Sequence, residues 1–246
     1  MTRSFYHQHP DTLTLEAEVV DSRPGRVLLL QSPFYPGGGG QFADRGVLRW
    51  SGGISTVSGF EPGDGGFWHL LDDGAAEVSG PVEAAVDPHF RRMMTELHTA
   101  THTLNALVFR TFNGALVTGA QLNDDDTARL DFDLPDADNN RLRALEGPIN
   151  DIVRQGLKVR DEYVPLDDAL RVPGLIRSRS VTPPPSADGM IRIVEITGLD
   201  RQACGGTHLA STDQSRAIRI LKIDNKGRHN RRIRISLADA VPGTTP

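Results

Sequence analysis

Along most of the chain, apolar and polar residues alternate in short runs, the period-two signature of strands with one buried face, and only two stretches repeat at intervals of three and four. Residues 13–22 and 26–32, separated by Pro24-Gly25, predict an opening hairpin. Residues 47–50, 66–71 and 78–82 are further β-prone runs between Gly-rich turns, so the N-terminal third reads as a small β-barrel. Residues 81–88, PVEAAVDP, have the composition of a linker, which divides the chain into domains 1–86 and 87–246. The first helical stretch follows over residues 91–109, where Met93, Leu97, Ala100, Leu104 and Leu107 make one apolar stripe flanked by His98, His102 and Asn105.

Residues 114–122 and 128–134 predict a strand pair turning at Asp124-Asp125-Asp126, which lacks the spacing and closing Glu of a calcium loop. The second helical stretch, 138–155, carries Leu142, Leu145, Ile149, Ile152 and Val153 inward, with a kink expected at Gly147-Pro148. A strand at 158–164, an irregular Pro-rich connection at 171–188, a clear strand at 191–197 and a closing hairpin of 218–223 with 231–237 complete the chain. The second domain is therefore expected to be α+β, with helices packed on an antiparallel sheet.

Composition changes this picture little: 38% hydrophobic and 24% charged residues describe an ordinary globular chain, and no apolar run has the length of a membrane span. The N-terminus has no apolar secretory core and the chain has one cysteine, so a cytoplasmic protein without an internal disulfide is expected, with no membrane and no obligate protein partner. The net charge of −5 argues against nucleic acid until its distribution is read. Residues 216–234 hold eight cations (Arg216, Arg219, Lys222, Lys226, Arg228, Arg231, Arg232, Arg234) against Asp224, a net +7 that leaves −12 for the remainder. Such a segment is either a solvated basic face or a phosphate-docking patch, in which Arg231 and Arg232 are the candidate contacts.

The residues with most chemistry are His98-Thr-Ala-Thr-His102 and Cys204-Gly-Gly-Thr-His208. Four apart on a helix, His98 and His102 aim at one point, while Thr99 and Thr101 point elsewhere. Gly205-Gly206 predict a tight bend that folds Cys204 and His208 back together. Three imidazoles and one thiolate suit a single tetrahedral Zn²⁺, where magnesium or calcium would take oxygen; the alternative is a set of core histidines bonded to backbone. No residue stands out as a catalytic acid or base, and a zinc peptidase is not expected because Thr99 occupies the Glu position of HExxH. Upstream, Phe34-Tyr-Pro-Gly-Gly-Gly-Gly-Gln41 can present bare backbone at Gly38, Gly39 and Gly40 to a phosphate or an ester, or serve as a surface turn.

FYPGGGGQ, HTATH and ACGGTH, in this order, resemble the freestanding alanyl-tRNA editing proteins, the AlaX family, which are similar to the editing domain of alanyl-tRNA synthetase. The resemblance runs from about residue 27 to about residue 237 and implies an N-terminal barrel followed by a zinc-binding deacylase domain. It also implies a Gly-rich loop over the zinc pocket with Gln41 toward the substrate. Gly37 and Phe42 depart from the family pattern, where an acid and a proline are common. The implied activity is ATP-independent deacylation of mischarged tRNA(Ala) in trans, Ser-tRNA(Ala) and also Gly-tRNA(Ala), as translation quality control. The competing class is a non-catalytic tRNA-binding module in which zinc only staples the second domain.

Overall fold

The structure, a computed structural model, describes residues 4–135, 137–176, 185–186, 188–227 and 229–238. Much of the irregular connection expected over 171–188, and Arg228 of the basic segment, lie outside the described residues. The chain divides into two compact units, Met1–Gly38 with Phe42–Arg92, and Gly39–Gln41 with Met93–Pro246. Both are built on antiparallel sheets, with few helices, so the class is α+β.

Unit 1 holds a short helix α1 (Phe5–Gln8) and strands β1 (Thr14–Ala17), β2 (Val19–Arg23), β3 (Arg26–Leu29), β4 (Gly46–Trp50), β5 (Gly53–Gly63), β6 (Gly66–Leu71) and β7 (Val82–Val86). They form one seven-stranded sheet in the order β1-β7-β4-β5-β6-β3-β2. Its two edge strands, β1 and β2, are joined through the single residue Glu18, so the sheet must curl until its edges lie side by side. The inside of the curl holds Val27, Leu29, Phe34, Leu48, Leu71, Val82 and Ala84. The expected linker is thus a strand of the sheet, paired between β1 and β4: Val82, Ala84 and Val86 are buried, and the alanines at 84 and 85 hide the alternation. Likewise the strand expected at 78–82 begins only at Val82, and β5 escapes the hydrophobic pattern because Pro62 and its glycines read as turn.

Two polar clusters brace this unit. Asp44 and Arg91 are a buried pair, with Arg91 Nε 2.9 and 3.0 Å from the two carboxylate oxygens and Nη2 donating to the Pro33 carbonyl at 2.7 Å. Asp44 also accepts the Tyr35 N–H at 2.6 Å and donates its own N–H to the Tyr35 carbonyl at 2.9 Å, which ties the two stems of the Gly-rich loop together. Below, His69 is enclosed by Phe34, Phe60 and Phe67. Its Nδ1 faces the Val27 carbonyl at 3.3 Å and its Nε2 the Ser32 hydroxyl at 2.7 Å, and Ser32 in turn accepts the Phe34 N–H at 3.2 Å.

Helix α2 (Pro88–Thr111) starts in unit 1 and continues into unit 2. Asp87 accepts the N–H groups of His89 and Phe90 at 2.9 and 3.1 Å, and Pro88 occupies the first helical position, where its missing N–H costs nothing. Unit 2 continues with β8 (Val117–Leu122), β9 (Thr127–Asp133), α3 (Asn139–Arg143), α4 (Glu146–Gln155), β10 (Val159–Pro165), α5 (Leu166–Arg171), β11 (Met190–Ile196), β12 (Asp200–Ala203), β13 (Ile218–Lys226) and β14 (Asn230–Leu237). The expected single sheet is two: a three-stranded β10-β11-β12 and a four-stranded β13-β14-β9-β8. The second helical stretch breaks at Ala144-Leu145, and Gly147-Pro148 fall in the first turn of α4, where proline is tolerated. Ala106 and Leu107 of α2 pack against Ile152, Ile196 and Leu199. Where β13 would present a bare edge, helix side chains meet its backbone: Asn150 bonds both the N–H and the C=O of Ile218, Glu146 accepts the Ile220 N–H, and Arg143 donates to the Ile220 carbonyl. Among the described residues, no helix is long and apolar enough to cross a membrane.

Candidate metal centre

In unit 2 the two motifs meet. His98 and His102 lie one turn apart on α2, and both are buried, with ring centroids 5.2 Å apart. Strand β12 delivers Cys204, whose N–H bonds the Arg192 carbonyl at 3.1 Å. The Cys204 sulfur lies 3.4 Å from His98 Nε2 and 3.3 Å from His208 Nε2, and the Gly206 N–H points at it from 3.4 Å. One ligand atom from each of His98, His102, Cys204 and His208 falls within 4.8 Å of all the others. Tetrahedral zinc with its usual Zn–N and Zn–S bonds sets ligand atoms about 3.3–3.8 Å apart. The separations to sulfur match, so this group could hold a metal ion.

The glycines of CGGTH serve close approach as well as bending. A Cβ on Gly206 would stand 2.1 Å from His98 Cε1 and 2.7 Å from Gln41 Oε1, so the backbone of the turn lies directly against the imidazole. Arg192, on β11, fastens the turn from outside: its Nη1 donates to the carbonyls of Cys204 and Gly206 at 3.1 and 2.9 Å, and its Nε to Asp161 at 3.1 Å.

Each imidazole has a partner on its far side. Gln41 Oε1 is 2.7 Å from His98 Nδ1 and also accepts the Thr207 N–H at 3.1 Å, while its Nε2 donates to the Thr207 hydroxyl at 2.9 Å. Thr207 continues to the Thr95 hydroxyl at 2.8 Å. Gln41 is 3% exposed, and both ends of its amide are taken up by this network. The amide oxygen is an acceptor, so the His98 hydrogen sits on Nδ1 and leaves Nε2 with its lone pair toward the sulfur. His102 Nδ1 lies 3.0 Å from Gln202 Nε2 and 3.8 Å from Asp200 Oδ2. Thr99 does not point elsewhere: its hydroxyl is 3.5 Å from His208 Nδ1 and accepts the Leu209 N–H at 3.1 Å. Thr101 does turn away, donating to the His98 carbonyl at 2.7 Å.

Burial, and secondarily the Arg192 charge, lowers the His98 pKa to about 3, so this imidazole is neutral. Burial pushes the Cys204 thiol up, with Arg192 and the Gly206 N–H pulling against it and Asp200 adding to it. An incoming ion therefore has to displace the thiol proton, while His98 is already deprotonated.

The other expected residues are placed as follows. Gly37, Gly38, Gly39 and Gly40 all have positive φ, from +60 to +123°; Gly38 receives the Tyr35 hydroxyl at 2.9 Å, and the Gly40 carbonyl accepts the Leu122 N–H at 2.8 Å. Arg231 is 8% exposed and lies on the apolar face of β14, opposite Phe132. Arg232 is engaged by both oxygens of Asp131 at 2.7 and 2.8 Å. Arg216 pairs with Glu96 and Asp126 and Arg232 with Asp131, all from outside the segment, so the count of +7 overstates its field; Lys222 and Arg234 lie 2.7 and 4.0 Å from Asp224, the acid already in that count. Sequence reasoning missed Arg192, Asp200 and Gln202. Asp200 and Gln202 alternate on β12 and Cys204 follows two residues on, just past its end, a period-two signal that could have found Asp200 and Gln202.

Comparison with known proteins bears on this geometry. Residues 191–234, from β11 into β14, match the threonyl and alanyl tRNA synthetase second additional domain. The alanyl-tRNA editing protein AlaX-M of Saccharolobus solfataricus is 33% identical over 95% of this chain and 98% of its own length. The AlaX-M protein of Methanosarcina barkeri is 33% identical over 87% of this chain and 89% of its own. The alanine–tRNA ligase of Korarchaeum cryptofilum is 32% identical over 89% of this chain, a stretch equal to 24% of that enzyme.

Proposed function

The chain belongs to the AlaX family of alanyl-tRNA editing proteins, and on that premise we propose that it hydrolyses the ester joining a wrong amino acid to tRNA(Ala), at a zinc ion held by His98, His102, Cys204 and His208. The convergence of those four side chains carries the proposal. The substrate is Ser-tRNA(Ala), with Gly-tRNA(Ala) second: a site shaped for alanine rejects one added hydroxyl poorly and cannot exclude a smaller residue by size. The reaction consumes one water and returns the free amino acid and the tRNA hydroxyl, without ATP. In this reading the curled sheet of unit 1 is the family's N-terminal barrel, residues 87–246 are the deacylase domain, and the protein works in the cytoplasm.

Zinc bound there supplies Lewis acidity, for polarising an ester carbonyl, lowering the pKa of water or fixing the substrate amino group. The chain's own residues prepare for it. Gln41 fixes His98 as the Nδ1–H tautomer, Thr99 does the corresponding work beside His208, and Arg192 with Gly206 sets the sulfur against both rings. The bare backbone of Gly38 and Gly39 leaves room for the aminoacyl end beside Gln41, while at Gly40 the missing side chain serves the close approach of Ala120, whose carbonyl oxygen would lie 2.7 Å from a Cβ there. A Cβ on Gly39 would meet no protein atom within 4 Å, which keeps this side open to a ligand. Arg232 holds a tRNA phosphate by exchanging Asp131 for it, and Arg231, 8% exposed, reaches one only by turning out from the buried face of β14.

The burial of the cluster favours a second reading, a closed structural zinc in a tRNA-binding module. Deacylation of Ser-tRNA(Ala), Gly-tRNA(Ala) and Ala-tRNA(Ala) by the wild type and by Cys204→Ala decides between them. Hydrolysis of the first two in preference to the third, lost together with zinc in Cys204→Ala, is the expected outcome. Tight tRNA binding without hydrolysis would establish the module instead.

A further inference from the structure

The proposed centre does not balance in charge. A divalent ion, one thiolate and three neutral imidazoles leave +1, at a place where His98, His102 and Cys204 are 5%, 7% and 7% exposed. An uncompensated charge at such depth is costly, and buried charges are as a rule paired. Arg192 and Asp200 are charged side chains beside the cluster. Arg192 has the wrong sign and is bonded to Asp161 at 3.1 Å. Asp200 has the right one: its side chain is 1% exposed and lies 3.8 Å from His102 Nδ1.

Gln202 connects the two. Its Nε2 donates to Asp200 Oδ2 at 2.6 Å and touches His102 Nδ1 at 3.0 Å, while its Oε1 accepts from Asn105 Nδ2 at 3.1 Å. Asn105 lies one turn beyond His102 on α2, so helix and strand both hold the amide in place. We propose that Asp200 is the counter-charge of the metal centre, a residue held in place by Gln202 whose charge, 3.8 Å from His102 Nδ1, raises affinity for a divalent ion. This rests on the zinc reading above. With the ion present, the carboxylate neutralises the residual charge. Without it, the carboxylate still meets the Gln202 amide and the His102 imidazole, contacts that a neutral amide of the same shape can make as well.

The effect of Asp200 on ion affinity is therefore separable from its effect on the fold. Zinc affinity is measured by competition with a chromophoric chelator for the wild type, Asp200→Asn, and Asp200→Asn combined with Gln202→Glu, and each ion-free protein is melted. Asp200→Asn is expected to bind zinc about 10- to 100-fold more weakly while its ion-free form melts no lower than the wild type. The double variant, which returns the negative charge one link nearer to His102, is expected to recover most of the affinity. Zinc affinity of Asp200→Asn within twofold of wild type, or an ion-free form that melts lower or fails to fold, would overturn the assignment. So would a double variant no better than the single one. A wild type that takes up no zinc would instead overturn the zinc reading, and this inference with it.

Discussion

Gly206 offers the sharpest test of the centre, because one methyl group there meets the site and little else. A Cβ at this position would stand 2.1 Å from His98 Cε1, 2.2 Å from His98 Nδ1 and 2.7 Å from Gln41 Oε1. Ordinary contact begins at 3.4 Å, so in Gly206→Ala the imidazole and the turn must part by about 1.3 Å. Gly206 is not among the positive-φ glycines, so the effect is one of space and not of backbone torsion. Overpacking of this size costs about 1–3 kcal/mol of stability. The larger consequence is functional. The inserted methyl would press on the ring whose Nε2 lies 3.4 Å from the Cys204 sulfur, and a misplacement of about 1 Å at a reacting centre typically costs on the order of 100-fold in rate. Gly39→Ala is the control: its Cβ meets nothing within 4 Å, but φ is +60°, so it should cost only about 1–2 kcal/mol from backbone strain and leave zinc bound. Zinc content, chelator competition and Ser-tRNA(Ala) deacylation are measured on both variants, with urea melts to register folding. A Gly206→Ala protein that keeps wild-type zinc affinity and wild-type deacylation would refute the packing argument.

Three further outcomes are expected. Asp44→Asn leaves the Arg91 guanidinium buried without its counter-charge and should cost about 3–5 kcal/mol in urea unfolding; a loss below about 1 kcal/mol would show that the pair does not brace the loop stems. Burial lowers the His69 pKa from 6.5 to about 4, so the unfolded chain binds more protons between those values; its contribution, up to about 3 kcal/mol, is complete above pH 6.5 and is lost as pH falls toward 4. The difference in stability between wild type and His69→Phe should track that window, and a difference independent of pH would count against it. The double variant Arg231→Ala, Arg232→Ala should bind tRNA more weakly at low salt, with a log–log salt slope flatter by about one for each phosphate no longer neutralised, and keep its zinc; an unchanged slope would leave the segment a solvated face.

What could be read from the sequence depended on whether a signal was local. His98 and His102 were legible because four residues make one helical turn, and Cys204 because it is the chain's single cysteine beside two glycines. The helix carrying the histidines was legible from its stripe, although Asp87-Pro88, which have the look of a linker's end, are in fact its cap. Arg192 was not legible. Its place beside Cys204 follows from the antiparallel register that sets Ile193 against Ala203, and no spacing along the chain encodes a register. The purpose of Gly206 was half legible: a glycine announces that a side chain is not tolerated, but only the structure shows that His98 fills the space. The cations of residues 216–234 failed in the opposite way, since their carboxylate partners Glu96, Asp126 and Asp131 come from distant parts of the chain.

The side chains that meet the edge of β13 bear on how the protein behaves at high concentration. A sheet edge with open amides and carbonyls is a template on which a second chain can add a strand, and such addition is a route to fibres. At Ile218 and Ile220 that template is already filled by Asn150, Glu146 and Arg143, which act together as a counterfeit neighbouring strand. The amide protons of these two residues should then exchange with solvent as slowly as those of an interior strand, although they lie at the rim of the sheet. Asn150→Ala would uncover them, and the first sign of trouble would be clumping of folded protein on storage, well before any unfolding.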